Sequence, residues 1–162
     1  MTRILSIVTA LAFATAIITT LAVGAGASQT AGIASAATPA ASTPRDTVTV
    51  RRSAYGRVIF DGRGRALYLF TRERSTTPRC YGDCAKAWPP FLTKGSPRAG
   101  RGARGSLLGT TRRSDGTTQV TYRGHPLYYY VGDRRAGQIL CQNVVEFGGR
   151  WLVVSPSGRA VH

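Results

Sequence analysis

The sequence predicts a mainly β protein: two related antiparallel β-meander halves packed together, with one short helix near the Cys80–Cys84 segment. Two observations carry that prediction. Short runs rich in Val, Ile, Tyr and Phe recur between Gly-rich turns, the pattern of strands and hairpins rather than helices. One stretch then reappears without a gap, residues 61–70 aligning with residues 121–130.

Along the chain, strands are expected over residues 47–51, 57–60, 66–70, 118–122, 126–130, 144–147 and 151–154. The segments between them carry turn residues: Asp61-Gly62-Arg63-Gly64, Ser114-Asp115-Gly116, Tyr122-Arg123-Gly124-His125 and Gly148-Gly149. Glycine supplies the positive φ that tight hairpin turns demand. Residues 81–87 differ. Asp83 stands near their start, Cys84, Ala85 and Ala87 lie inside, and Pro89-Pro90 follows, which suits a short, sharply stopped helix.

In the internal repeat, Arg63/Arg123, Gly64/Gly124, Leu67/Leu127 and Tyr68/Tyr128 are identical, and Phe70 faces Tyr130. Three residues beyond the last aromatic, Glu73 corresponds to Asp133; Trp88 and Trp151 each close their half. The unit is a turn, an aromatic strand and an acid. Strand alternation puts Tyr68 and Phe70 on one face and Leu67 and Leu69 on the other, as in a central strand buried on both sides. Tyr128 and Tyr130 take the equivalent face. Tyr68, Phe70, Glu73, Tyr128, Tyr130 and Asp133 therefore form either a structural core or an aromatic-lined ligand surface. An acid just past a strand is placed to accept a hydrogen bond from a turn amide or to pair with Arg.

The chain begins with a short basic head, an apolar run over residues 4–23 and then small residues, the order of a secretory signal. Residues 1–36 are read as a signal peptide, cleaved after Ala27 or, preferably, Ala36; an uncleaved anchor is the alternative. No Cys follows the apolar run, so no N-terminal lipid anchor is expected. Residues 37–46, Ala, Thr, Ser and Pro with almost no bulky side chain, read as a disordered tether. A single β domain is expected over residues 47–162, with pseudo-repeats at about 55–92 and 115–155.

Charge narrows the partners. The chain has 22 Lys+Arg against 7 Asp+Glu, and removal of Arg3 with the signal takes the formal charge only from +15 to +14. Lys86 and Lys94 are the only lysines. Such a field favours anionic partners. For an exported chain these are an anionic cell-wall polymer or another acidic extracellular ligand, with nucleic acid not expected. A membrane would be met only through an uncleaved N-terminal segment.

Three cysteines in an exported chain point to disulfide chemistry and allow three single bridges. Cys80 and Cys84 on one helical turn would have Cα atoms about 6 Å apart, within bridging range, for roughly 2 kcal/mol. Bridging Cys141 to either would close a longer loop and give nearer to 4 kcal/mol on the same chain-entropy estimate, roughly. With His125, the three also make a Cys3His set suited to zinc or copper(I), although the spacing matches no known zinc motif. His125 otherwise reads as a hairpin-turn residue and His162 as a frayed terminus. Gly100-Arg-Gly-Ala-Arg-Gly105 matches G-x-G-x-x-G but lacks the flanking strand and helix, and reads instead as a basic surface loop between the halves. G-x-S-x-G, S-x-x-K and H-E-x-x-H are all absent, so no catalytic residue is assigned and no cofactor is expected.

Several motifs then follow in order: Leu67-Tyr-Leu-Phe70, Cys80-Tyr-Gly-Asp-Cys84-Ala, Trp88-Pro-Pro90, Gln119-Val-Thr-Tyr122-Arg-Gly-His-Pro-Leu-Tyr128 and Trp151-Leu-Val-Val-Ser-Pro-Ser-Gly158. Together they resemble the bacterial secreted repeat and predicted lipoprotein family marked by a Tyr-x-aromatic-x-x-Asp motif. Tyr128, Tyr130 and Asp133 match it fully; the first copy has Glu73 in place of Asp. The resemblance implies an extracytoplasmic envelope or secreted protein and no assigned activity. It also implies a Cys80–Cys84 bridge, since both lie in the family's cysteine-containing motif, with Cys141 free or intermolecular. The expected function is a non-catalytic binding module for an anionic ligand. The rivals are a metal-binding or redox protein using Cys80, Cys84, Cys141 and His125, and an enzyme of unrecognised type.

Overall fold

The computed structural model describes residues 46–162. The expected signal or anchor, and all of the expected tether but Asp46, lie outside the described residues. The chain is mainly β. In order come β1 (Thr47–Ser53), β2 (Gly56–Asp61), β3 (Tyr68–Phe70), a helix α1 (Asp83–Ala87), β4 (Arg98–Ala99), β5 (Leu108–Arg112), β6 (Thr118–Tyr122), β7 (His125–Pro126), β8 (Val144–Glu146) and β9 (Gly149–Val153). They form three small sheets, ordered β2-β1-β4, β3-β9-β8 and β5-β6-β7. All pairs are antiparallel except β1 with β4.

Each sequence-predicted strand is present; 118–122 matches β6 at both ends, and the others have shifted ends. The largest shift is at 126–130, where ladder pairing stops at Pro126. The chain stays extended beyond it and bonds in alternate directions: the Leu127 amide to Val120 O, that of Tyr128 to Tyr68 O and that of Tyr129 to Pro89 O. The segment is thus central without belonging to one sheet. Arg123 (φ 51°) and Gly124 (φ 79°) form the two-residue turn between β6 and β7, both in the left-handed region that such a turn needs.

Two strands were not expected. β5 contains Gly109, which reads as a loop residue in sequence. Its absence of a side chain is a packing requirement, because a Cβ there would lie 2.9 Å from the Thr121 hydroxyl. β4 lies just ahead of the Arg/Gly run 100–105, which is itself a surface loop as expected. Arg98 and Ala99 pair with β1, and the edge continues as the Gly100 amide bonds Val48 O at 2.8 Å and the Val50 amide bonds Arg101 O at 2.8 Å. Backbone groups alone make this pairing, so side-chain propensity gives no sign of it. The helix is shorter than expected, starting at Asp83 after Gly82.

Two cores flank the motif strands. Tyr68, Phe70, Trp88, Tyr128 and Trp151 belong to one, while Leu67, Leu69, Leu127 and Leu152 belong to the other. The alternation read from residues 67–70 therefore divides the side chains as expected. β3 of the first half pairs β9 of the second, so the related halves interlock by sharing a sheet.

In the first core three rings form a stack and a fourth leans on its end. Phe70 lies on Trp151 (centroids 4.2 Å, 5° between planes), Trp151 on Trp88 (4.1 Å, 4°) and Trp88 on Tyr130 (4.8 Å, 42°). Trp151→Ala removes a middle ring and leaves a void that neighbours on two sides cannot fill. Urea unfolding should show a loss of about 3–5 kcal/mol; a loss below about 1 kcal/mol would show that the stack can collapse around the gap.

Candidate functional site

The motif strands meet at a local two-fold. Tyr68 and Tyr128 are bridged antiparallel, each amide bonding the other's carbonyl at 2.9 Å. Across this axis the side chains are exchanged. The Tyr68 hydroxyl donates to Asp133 Oδ2 at 2.6 Å, and the Tyr128 hydroxyl donates to Glu73 Oε1 at 2.6 Å. Each half's tyrosine is therefore held by the other half's acid.

Matching turns deliver the two acids. The Glu73 amide bonds Phe70 O at 3.0 Å, and the Asp133 amide bonds Tyr130 O at 3.2 Å. Each carboxylate then accepts an amide from farther along its own half, Arg79 N on Glu73 Oε1 (2.6 Å) and Leu140 N on Asp133 Oδ1 (2.9 Å). The longer Glu73 reaches its tyrosine, but both donors converge on one oxygen and Oε2 has no hydrogen-bond partner among the described residues. Asp133 divides its two donors between its oxygens. The stack follows the same axis: Tyr68 sits edge-on to Trp88 and Tyr128 edge-on to Trp151, each with centroids 5.2 Å apart. The symmetry breaks at the indoles. Trp88 Nε1 donates to Glu146 Oε2 at 2.8 Å, whereas Trp151 Nε1 has no hydrogen-bond partner among the described residues.

Burial governs the electrostatics. Glu73 is 3% exposed and Asp133 1%, and desolvation raises both carboxyls above their ordinary values of 4.5 and 3.8. The tyrosine and amide donors, with Arg113 near Glu73 and Arg65 near Asp133, act in the opposite direction without overcoming it. Both phenols are raised in turn, by burial and by the adjoining carboxylate.

Of the residues singled out in sequence, Tyr68, Phe70, Glu73, Tyr128, Tyr130 and Asp133 are thus brought together. Phe70 and Glu73 also border a recess of about 240 Å³ with His125 and Arg74. His125 is half-buried, and burial followed by the nearby Arg123 charge lowers its pKa. His162 is exposed. Cys80 and Cys84 are joined, with Cα atoms 5.2 Å apart, so their thiolates are not free for a metal. Cys141 is a free, half-buried thiol beside Tyr130, raised in pKa mainly by burial. Among the described residues no three His, Cys, Asp or Glu side chains are grouped to hold a metal ion.

Sequence reasoning passed over Arg113, which is 2% exposed. Its guanidinium donates to Gln119 Oε1 (2.8 Å), Cys80 O (2.8 Å) and Asp115 Oδ2 (3.1 Å), tying the disulfide segment to β6. Among so many arginines nothing local marks it as internal. A signal did exist for Cys141: it follows Leu140 as Cys80 follows Arg79, the two residues whose amides hold the acids.

A family model for a secreted repeat of unknown function matches residues 49–91 and 109–155, more than half of the chain. The chain belongs to this family. It is a secreted protein, and the disulfide fits an extracytoplasmic location. Both matched repeats begin earlier than the sequence-derived halves, taking in most of β1 and of β5. No curated protein and no solved structure matches the chain.

The raised acids of this secreted repeat set the sign of a pH effect. Burial raises the pKa of Glu73 above the unfolded value, so between those two values it keeps a proton in the folded chain that the unfolded chain releases. The protonated group's contribution to stability is fully present below the ordinary value and is lost as pH rises through the folded one. The unfolding free energy of wild type minus that of Glu73→Gln should therefore fall as pH rises from about 4 toward neutrality. A difference that rises over that range would contradict the assignment.

Proposed function

We propose that this secreted repeat is a non-catalytic envelope or extracellular module that binds an anionic polymer through its arginine surface. The observation that supports it is where the acids go. Asp61 accepts from the Arg63 and Arg65 amides and the Tyr129 hydroxyl. Glu73, Asp133 and Glu146 likewise serve tyrosine, amide and indole donors. Carboxylates so engaged are not ion-paired with the guanidinium groups at the surface. Among the described residues only two ion pairs form, Lys86–Asp83 and Arg113–Asp115. The excess positive charge thus stays on the surface, where it attracts polyanions and speeds encounter with them.

The metal or redox alternative would need Cys80, Cys84, Cys141 and His125 in one place. Two of those sulfurs are committed to each other.

Retention of the secreted protein on an immobilised linear polyanion tests the proposal. The logarithm of the apparent binding constant should fall linearly with the logarithm of salt concentration, as phosphate or carboxylate counterions are released. Binding that does not weaken with salt would refute it.

A further inference from the structure

We propose that the anion site lies on one face of the β1–β2 hairpin, formed by Arg52, Arg57 and Arg101, and that it takes a linear phosphate polymer. The inference rests on the anion-binding reading above and gives it a location and a chemistry.

Register creates the site. Arg52 stands directly opposite Arg57 across β1 and β2, beyond the Val50–Ile59 pair on the same face. Like charges directly opposite are destabilising in an antiparallel pair. Both arginines are exposed, and neither guanidinium has a hydrogen-bond or ion-pair partner among the described residues. The acid of this sheet, Asp61, pairs Val48 at the far end and already serves three donors.

The edge formed after β4 brings in the third arginine. The Val50–Arg101 backbone bond sets Arg101 alongside β1, and Gly102 follows at φ +77°. A Cβ on Gly102 would lie 3.0 Å from Val50 Cβ and 3.2 Å from Arg57 Nη2. The Arg57 guanidinium therefore reaches along Val50 to this loop. Arg51, by contrast, turns to the other face, 6.0 Å from the Phe60 ring centroid.

An anion bound between Arg52, Arg57 and Arg101 would relieve the repulsion that the register imposes. Phosphate suits this position better than carboxylate. Its tetrahedral oxygens accept from forks arriving in different directions, whereas a carboxylate presents one planar edge that a single guanidinium can fill.

The full secreted protein is titrated with long-chain polyphosphate and with polygalacturonate at several salt concentrations. Wild type is compared with Arg52→Gln/Arg57→Gln/Arg101→Gln and with a charge-matched control, Arg112→Gln/Arg134→Gln/Arg135→Gln. The site variant should weaken polyphosphate binding at least about tenfold and reduce the salt slope by about 2, against less than about threefold for the control. Its thermal midpoint should equal or exceed wild type, because a like-charge pair has been removed. Equal losses in both triple variants would overturn the location while leaving the anion-binding reading standing. Equal wild-type affinity for the two polymers would overturn the phosphate assignment. Absence of salt-sensitive binding in wild type would instead overturn the reading on which this inference rests.

Discussion

Tyr68 and Tyr128 face each other across a local two-fold, joined by two backbone hydrogen bonds, and each passes its hydroxyl to an acid in the opposite half. Most of the first core depends on that exchange. It fixes the two tyrosine rings edge-on to Trp88 and Trp151, whose indoles lie parallel, with Phe70 stacked on Trp151 and Tyr130 tilted against Trp88. It also places two carboxylates in the interior, a costly step unless each is fully engaged. Four donors, a tyrosine and an amide for each acid, offset part of that cost. Because every tyrosine–acid contact crosses between halves, neither half can satisfy its own polar groups alone.

The interlocking also explains how strands so short make a stable domain. β3 spans three residues and β7 two, lengths at which an isolated hairpin would not persist in water. Stability comes instead from the alternation along the motif strands, which sends tyrosine and phenylalanine into one core and leucine into the other. The disulfide and Arg113 then pin the 80–84 segment against the second half. With the acids drawn inward, the surface is left basic, and architecture and proposed ligand chemistry share one cause.

Much of this was legible in the sequence because it rests on local rules. The period-two pattern of residues 67–70, the turn at Arg123-Gly124 and the ungapped repeat each translate directly into observed structure. What was not legible is non-local. In sequence the acids read as acceptors for a turn amide or partners for Arg, but each also takes a tyrosine hydroxyl from the opposite half, Tyr68 to Asp133 and Tyr128 to Glu73. β4 exists only through backbone bonds to β1, and Gly109 belongs to a strand because Thr121 is packed against it. Cys80–Cys84 illustrates the same point, since loop entropy alone favoured a longer bridge and only the family resemblance favoured the short one.

The cross-half exchange can be measured directly by a double-mutant cycle on Tyr68→Phe and Asp133→Asn, with unfolding free energies from urea titration. If the hydroxyl and carboxylate act as one buried unit, the two losses should fall short of additivity by about 1–3 kcal/mol. Additive losses, within about 0.3 kcal/mol, would contradict the exchange as the interaction that joins the halves.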